Sequence, residues 1–362
     1  MVALYGENGA GKTNLLEALS LFTPGRGLRR AAFNEMARTG QSGAFAVSIT
    51  VEQDASDLGG TRLGTGARLG TGLDPASSTS RKSRIDGTPV SSPAAFAEYI
   101  RVVWLTPALD GLFTGPAGDR RRFLDRLVLA VDAAHGTRTN AYERALRQRN
   151  RILEEAPGDR IWLDSIEREI AELGVAVSAA RLETTERLKA LIAASASPQS
   201  PFPSALLDLE GEIESRLRSH SATEVEDHFR RLLHEGRNRD KAAGRTLTGP
   251  QTSDLAVEHA GKAIAAGQCS TGEQKALLIG LVLAHARLVT AMSGIAPLVL
   301  LDEVAAHLDP RRRAALFETL TELGCQVWMT GADPSLFAEL GDSAMKLVVA
   351  SGGVSQSSSA GE

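Results

Sequence analysis

Cysteine is scarce: the 362 residues contain two, Cys269 and Cys325. Two thiols do not build a disulfide framework, so the fold must rest on its own core, and the count suits a reducing compartment such as the cytosol. Both are expected to be small buried hydrophobes. Aromatics are thin, with three Trp and three Tyr, which argues against a surface that holds single strands chiefly by stacking bases. No run of eighteen apolar residues suggests a membrane span. No basic, apolar leader stands ahead of the first motif, so neither a secretory signal nor a membrane partner is expected. Positive charge is not in excess either. A formal net charge of −4 excludes a globally attractive surface for nucleic acid while leaving room for a local basic patch.

What is present is an ordinary globular composition, 43% hydrophobic and 23% charged, over a length that allows about two domains. The chain opens MVALYGENGAGKTNLLEALS. Gly6-Glu7-Asn8-Gly9-Ala10-Gly11-Lys12-Thr13 fits G-x-x-x-x-G-K-[ST] at every fixed position. Glycines at 6, 9 and 11 let the backbone curl and bring N–H groups against a polyphosphate. Lys12 adds a charge between the β- and γ-phosphates, and the Thr13 hydroxyl suits Mg²⁺, which prefers hard oxygen ligands. Residues 2–5 read as a buried strand and 14–22, from Asn14 onward, as a helix stopped by Pro24-Gly25.

The other half of a nucleotide site is a hydrophobic strand ending in carboxylates, and residues 297–303, PLVLLDE, supply one. Asp302 is placed to hold Mg²⁺, and Glu303 to polarise an attacking water. Lys12 and Asp302 lie 290 positions apart, so something large is inserted between the halves. Upstream of that strand, Ser270-Thr271-Gly272-Glu273 has capping-box spacing ahead of an apolar helical run. Its N-terminus offers free N–H groups, a positive dipole end and a hydroxyl, all suited to an anion.

The coarse organisation follows from periodicity. Residues 1–118 read as the first part of an ATPase head, with candidate strands at 46–51, 81–85 and 100–105 and a hairpin turn at Asp86-Gly87. Between 53 and 80 the chain is rich in glycine and serine and repeats R-L-G-T-G at 62–66 and 68–72. Residues 119–240 read as a helical insert. Its longest run, 161–192, would reach about 50 Å if Gly174 does not interrupt it. Residues 241–350 read as the second part of the head, and 351–362 as a disordered tail.

The glycine loop, the serine-capped helix and the L-L-D-E strand together resemble an ABC-type ATPase head of the branch that contains the SMC proteins. The stretches VVWLTPALD at 102–110, RRFLD at 121–125 and LLDEVAAHLD at 300–309 narrow this to a resemblance to the RecF family of bacterial recombination mediators, over nearly the whole chain. That resemblance implies an α/β head with a mixed sheet, ATP and Mg²⁺ as cofactors, and an ATP-dependent homodimer. In that dimer Ser270, Thr271, Gly272, Glu273 and the D-loop residue Asp309 would meet in trans the ATP held by residues 6–14 of the other copy. It implies slow hydrolysis, since Thr330 stands where transporter heads carry a γ-phosphate-sensing histidine. It also implies roles in DNA replication, repair, recombination and the SOS response. The expected partners are duplex DNA at gaps or junctions, RecR, RecO and the RecA recombinase, in the cytoplasm near the nucleoid. Two strands usually precede the phosphate-binding strand in such heads. Their absence here raises the expectation of an upstream start, because that strand would otherwise carry unpaired donors.

Candidate DNA contacts are basic clusters: Arg120, Arg121 and Arg122; Arg147, Arg149 and Arg151; the basic residues of 237–245; and Arg311, Arg312 and Arg313. A solvated or ion-paired face is the bland alternative for each. Two other function classes share some of these motifs: a transporter ATPase, which should lack so long an insert, and an SMC-like clamp, which needs longer arms.

Overall fold

The computed structural model describes residues 1–37, 43–53, 65–74, 80–156, 158–195, 200–350 and 352–356. It divides into two compact units, one made of residues 1–109 and 285–362 and the other of residues 110–284. This differs from the expected boundaries at 118 and 240. The contiguous unit also takes in 241–284, and with it the serine-capped start of the long apolar helix.

The first unit begins with β1 (Val2–Tyr5) and α1 (Lys12–Ser20). An antiparallel meander follows: β2 (Phe45–Gln53), β3 (Thr65–Leu73), β4 (Lys82–Ile85) and β5 (Thr88–Val90). Alternation puts Val47, Ile49, Val51, Ala67, Leu69 and Ile85 on one face, packed with Phe22 and Phe96. Asp86 and Gly87 both take positive φ, 49° and 82°, which is the I′ hairpin geometry that matches strand twist. The second R-L-G-T-G copy lies within β3, while residues 62–64 of the first lie outside the described residues. Next comes β6 (Val102–Leu105), buried at all four positions.

The second unit runs through α2 (Ala117–Val131), α3 (His135–Glu155) and α4 (Arg160–Ala194). Then come β7 (Ala205–Glu210), α5 (Glu212–Leu217), α6 (Ala222–Glu235) and α7 (Arg237–Ala243), followed by β8 (Asp254–His259) and β9 (Ile264–Ala265). Helix α4 is continuous for 35 residues. Gly174 does not break it. A Cβ there would stand 2.7 Å from Phe229 Cε1 and 3.0 Å from Tyr142 Cε2, so the glycine permits a close crossing of α3 and α6 within a core that includes Ile152, Leu163 and Ile170. The 119–240 segment is not purely helical. Strand β7, with inward Ala205, Leu207 and Leu209, pairs antiparallel with β8, and β8 with β9.

Helix α8 (Thr271–Ser293) carries the boundary between the units. It is long and apolar enough to cross a membrane by length and composition, and 67% of that stretch is buried in the protein, the pattern of a core helix. The chain then re-enters the first unit through β10 (Leu298–Leu301), α9 (Pro310–Glu322), β11 (Val327–Gly331), β12 (Met345–Ala350) and β13 (Gly353–Gln356). The resulting sheet has the order β13-β12-β1-β11-β10-β6, parallel except for β13. β1 is an interior strand: Leu4 lies opposite Thr330 on β11 and Leu347 on β12. The expected unpaired donors on β1 are therefore not found. Nor is the expected tail wholly irregular, since residues 353–356 pair with β12, while 351 and 357–362 lie outside the described residues.

Candidate nucleotide-binding site

The sheet dictates the first residue of the loop. At Gly6 φ is 151°, and a Cβ there would lie 2.2 Å from the Val349 carbonyl oxygen of neighbouring β12, so any side chain would collide with the backbone that pairs with β1. Gly9 and Gly11 also take positive φ. Lys12, the first residue of α1, is 5% exposed. Its Nζ donates to the carbonyls of Gly6 and Glu7 at 2.7 and 2.9 Å, which holds the ammonium over the loop. No side chain caps α1 and no acid occupies its first turn. The N–H groups and positive dipole end at that terminus are therefore not neutralised from within.

The β10 strand delivers the carboxylates to the same place. The Asp302 N–H donates to Leu105 O at 2.9 Å, carrying the β10–β6 ladder one residue further and leaving the side chain 7% exposed. Asp302 Oδ1 accepts from the Thr13 hydroxyl at 2.9 Å and from the Thr330 hydroxyl at 2.8 Å. Thr330 Oγ1 accepts in turn from the Glu303 N–H at 2.9 Å. Glu303 is left-handed, with φ 55°, a conformation that costs a non-glycine residue about 1–2 kcal/mol. One threonine on β11 thus fixes both Asp302 and the strained backbone that aims Glu303. Thr13 and Asp302 juxtapose hydroxyl and carboxylate oxygens, the hard donor set that Mg²⁺ takes.

In the second unit, Ser270 and Glu273 form the expected capping box. Glu273 Oε2 accepts from the Ser270 N–H at 3.1 Å and the Ser270 hydroxyl at 2.9 Å, and the Glu273 N–H donates to Ser270 Oγ at 3.4 Å. Ser270, Thr271 and Gly272 are exposed. The other Glu273 oxygen accepts from Lys262 Nζ at 2.5 Å. Lys262, joined by the Ser270 donors, holds the Glu273 carboxyl down at about 2. Sequence spacing gave no sign of Lys262, which reaches Glu273 only because the β8–β9 turn folds back. Asp309 caps α9, accepting from the Arg312 N–H at 3.0 Å.

The basic clusters separate once their partners are known. Arg120 makes two 2.7 Å bonds to Asp254 and one of 2.6 Å to Gly115 O, and Arg121 donates to Ser253 O at 2.6 Å. Arg122 pairs with Asp119. Arg149 is fully buried among Glu167, Asp240, Thr246 and Leu233 O. Arg147 and Arg151 pair with Glu143 and Glu155 on their own helix, and Arg237 bonds Glu167 and Asp164. Arg313 pairs with Glu339. Arg312 lies 3.7 Å from Asp309. Arg311, early in α9, is exposed.

A family model described as the RecF/RecN/SMC N terminal domain matches residues 1–356. The chain is 53% identical over 354 residues to the DNA replication and repair protein RecF of Mesorhizobium japonicum, spanning 98% of this chain and 91% of that protein. It is 51% identical over 351 residues to the protein of the same name from Brucella suis, spanning 97% and 89%. Among solved structures it matches the recombination mediator protein RecF-ATPrS in the RecFOR pathway with a TM-score of 0.82, at 19% identity over 98% of this chain and 91% of that one. An Smc head bound to the C-winged helix domain of ScpA matches with a TM-score of 0.51, at 15% identity over 98% and 89%. At those identities the structures speak to the fold, an α/β ABC-type ATPase head with a mixed sheet.

Proposed function

This chain belongs to the RecF family within the RecF/RecN/SMC group, and from that premise we propose that it is a DNA replication and repair ATPase. In this reading it dimerises on ATP and binds duplex DNA near single-strand gaps to assist recombinase loading. The observation that carries the reading is the corner formed by Thr13, Asp302, Thr330 and Glu303 beside the Lys12 loop. Thr13 and Asp302 would hold Mg²⁺, which supplies charge neutralisation at the β- and γ-phosphates. The N–H groups of residues 6–14 cradle the phosphates, and Lys12 leaves its two carbonyl partners for the β- and γ-oxygens. Glu303 orients the attacking water, held in place through Thr330. Ser270, Thr271, Gly272 and Glu273 of a second copy approach the γ-phosphate, and Asp309 crosses the same interface. Hydrolysis is slow and stimulated by DNA, and it resets the dimer.

DNA binding is through phosphates, independent of sequence and sensitive to salt. Arg311 is the contact favoured by exposure, and Arg312, half-buried and 3.7 Å from Asp309, stays beside it as a candidate. Arg120 and Arg121 are tied to Asp254 and Ser253 O, so their contribution is the smaller, whereas Arg122 is exposed beside Asp119 and stays as a candidate. RecR, RecO and RecA are the proposed protein partners.

The test is the mass in solution with Mg²⁺-ATP, with and without a gapped duplex, for the wild type, Lys12→Ala, Ser270→Ala and Glu303→Gln. The expected result is a nucleotide-dependent dimer that is lost in the first two variants and prolonged in the third. A wild-type monomer under every condition would overturn the composite site.

A further inference from the structure

Glu273 poses an electrostatic problem for the site just proposed. Its carboxylate sits one turn from Ser270, at a helix end that must accept the γ-phosphate of a second copy, and it is only partly buried. It is anionic at neutral pH, with its carboxyl held at about 2. A carboxylate beside a polyphosphate repels it. Both donors of Ser270 are also directed at that carboxylate, the N–H at 3.1 Å and the hydroxyl at 2.9 Å.

Lys262 is the compensating charge. It lies at the turn between β8 and β9, where the Lys262 and Ala263 N–H groups donate to His259 O at 3.1 and 2.9 Å and Ala263 takes a left-handed φ of 51°. This tight turn presents Nζ to Glu273 Oε1 at 2.5 Å, the oxygen that Ser270 does not use. The lysine therefore neutralises Glu273 without competing for the face that fixes the serine. With about half its side chain exposed, Lys262 also keeps ammonium protons available for a further anion. Lys275, the next lysine along α8, is committed elsewhere, to Asp110 at 3.0 Å.

We propose that Lys262 is a positioning residue of the trans nucleotide site: by neutralising Glu273 it lets the Ser270 end of α8 accept the γ-phosphate of ATP bound to a second copy. This deepens, and rests on, the composite-site reading. The effect enters twice in a symmetric dimer, once at each nucleotide.

The experiment measures dimer dissociation constants by sedimentation of the full chain in Mg²⁺ with a slowly hydrolysed ATP analogue, at low and at moderate salt. Lys262→Met is expected to weaken the dimer at least tenfold, more at low salt, while binding of fluorescent ATP to the dilute monomer is unchanged. Adding Glu273→Gln to Lys262→Met is expected to restore most of the loss, and Lys262→Arg to keep wild-type affinity. If the double variant stays as weak as Lys262→Met, the lysine merely staples the turn to the helix and the proposal falls. If Lys262→Met dimerises like the wild type, the proposal falls while the composite site stands. A wild type that never dimerises sinks the composite site itself.

Discussion

At the end of β10, Asp302 shares one carboxylate oxygen between the hydroxyls of Thr13 and Thr330. In the second unit, Arg149 closes every one of its contacts inside the protein: Glu167 at 2.9 Å, Asp240 and Thr246 at 2.8 Å, and Leu233 O at 2.7 Å. Both places bury charge. The first meets its carboxylate with neutral hydroxyls and adds a strained backbone at Glu303. The second surrounds a guanidinium with two carboxylates, one of which, Glu167, also accepts from Arg237. In the proposed function the first corner receives a cation and a triphosphate, and among the described residues Asp302 makes no ion pair. A corner that joins α3, α4, α6 and α7 cancels its own charge.

The sharpest way to break this contrast is Arg149→Met. It leaves Asp240 without its hydrogen-bonded guanidinium partner and Glu167 with Arg237 alone, and is expected to lower stability by about 3–5 kcal/mol, read from urea denaturation of the full chain. ATP affinity of the protein that remains folded should not change. A loss under about 1 kcal/mol would show that the cluster is not what holds the helices.

Acid provides a second probe. Asp125 accepts two 2.8 Å bonds from Arg181 and one of 2.8 Å from His135. Burial pulls its carboxyl upward, but the hydrogen bonds from His135 and Arg181 outweigh this and leave it at about 2, below the ordinary 3.8. A depressed carboxylate contributes stability that is full above the unfolded pKa and is lost as pH falls through the folded one. Roughly 2 kcal/mol should therefore disappear between about pH 4 and pH 2. Asp125→Asn should flatten that part of the stability profile, and an unchanged slope in the variant would exclude the assignment.

Thr330→Val is expected to cost about 1–2 kcal/mol, because it removes a donor to Asp302 and an acceptor for the Glu303 N–H. ATP turnover should fall about tenfold with little change in ATP affinity, measured by phosphate release and by nucleotide titration. Equal losses in affinity and turnover would mean that the threonine supports the loop rather than Glu303. The smallest stability change is expected for Glu303→Gly. Relief of left-handed strain, about 1 kcal/mol, offsets a comparable entropy cost of glycine in the unfolded chain. Its denaturation midpoint should match the wild type while hydrolysis is lost, and a clearly lower midpoint would give the Glu303 side chain a structural role.

These two corners were not equally legible in the sequence. The loop at 6–13 and the strand at 298–301 could be read because each is local: fixed spacing in one, four consecutive apolar residues in the other. The length of α4 was legible from its period alone. Arg149 was not, because its partners stand 18, 91 and 97 positions away, and an arginine in a run of arginines looks the same whether paired or free. Arg120, whose partner Asp254 is 134 positions distant, was obscured for the same reason. Strand β7 was hidden by its brevity and by a partner beyond three helices. The tail strand β13 has no apolar alternation at all, being exposed throughout. Whether Gly174 interrupts α4 was left open by the sequence for a further reason. A glycine in a helical run signals a break only if nothing crosses it, and whether Phe229 and Tyr142 do so is a tertiary fact.

The position of β1 between β11 and β12 bears on the order in which the molecule can be made. Both neighbours of the N-terminal strand are encoded in the last part of the chain, whereas residues 110–284 form their unit from one uninterrupted stretch. On a ribosome moving at about 5–20 residues per second, the helical unit emerges whole while the phosphate loop waits on the order of tens of seconds for the strands that flank it. The nucleotide site is thus the last part to assemble. A nascent chain lacking its final hundred residues carries the entire Gly6–Thr13 motif and still has no sheet to display it.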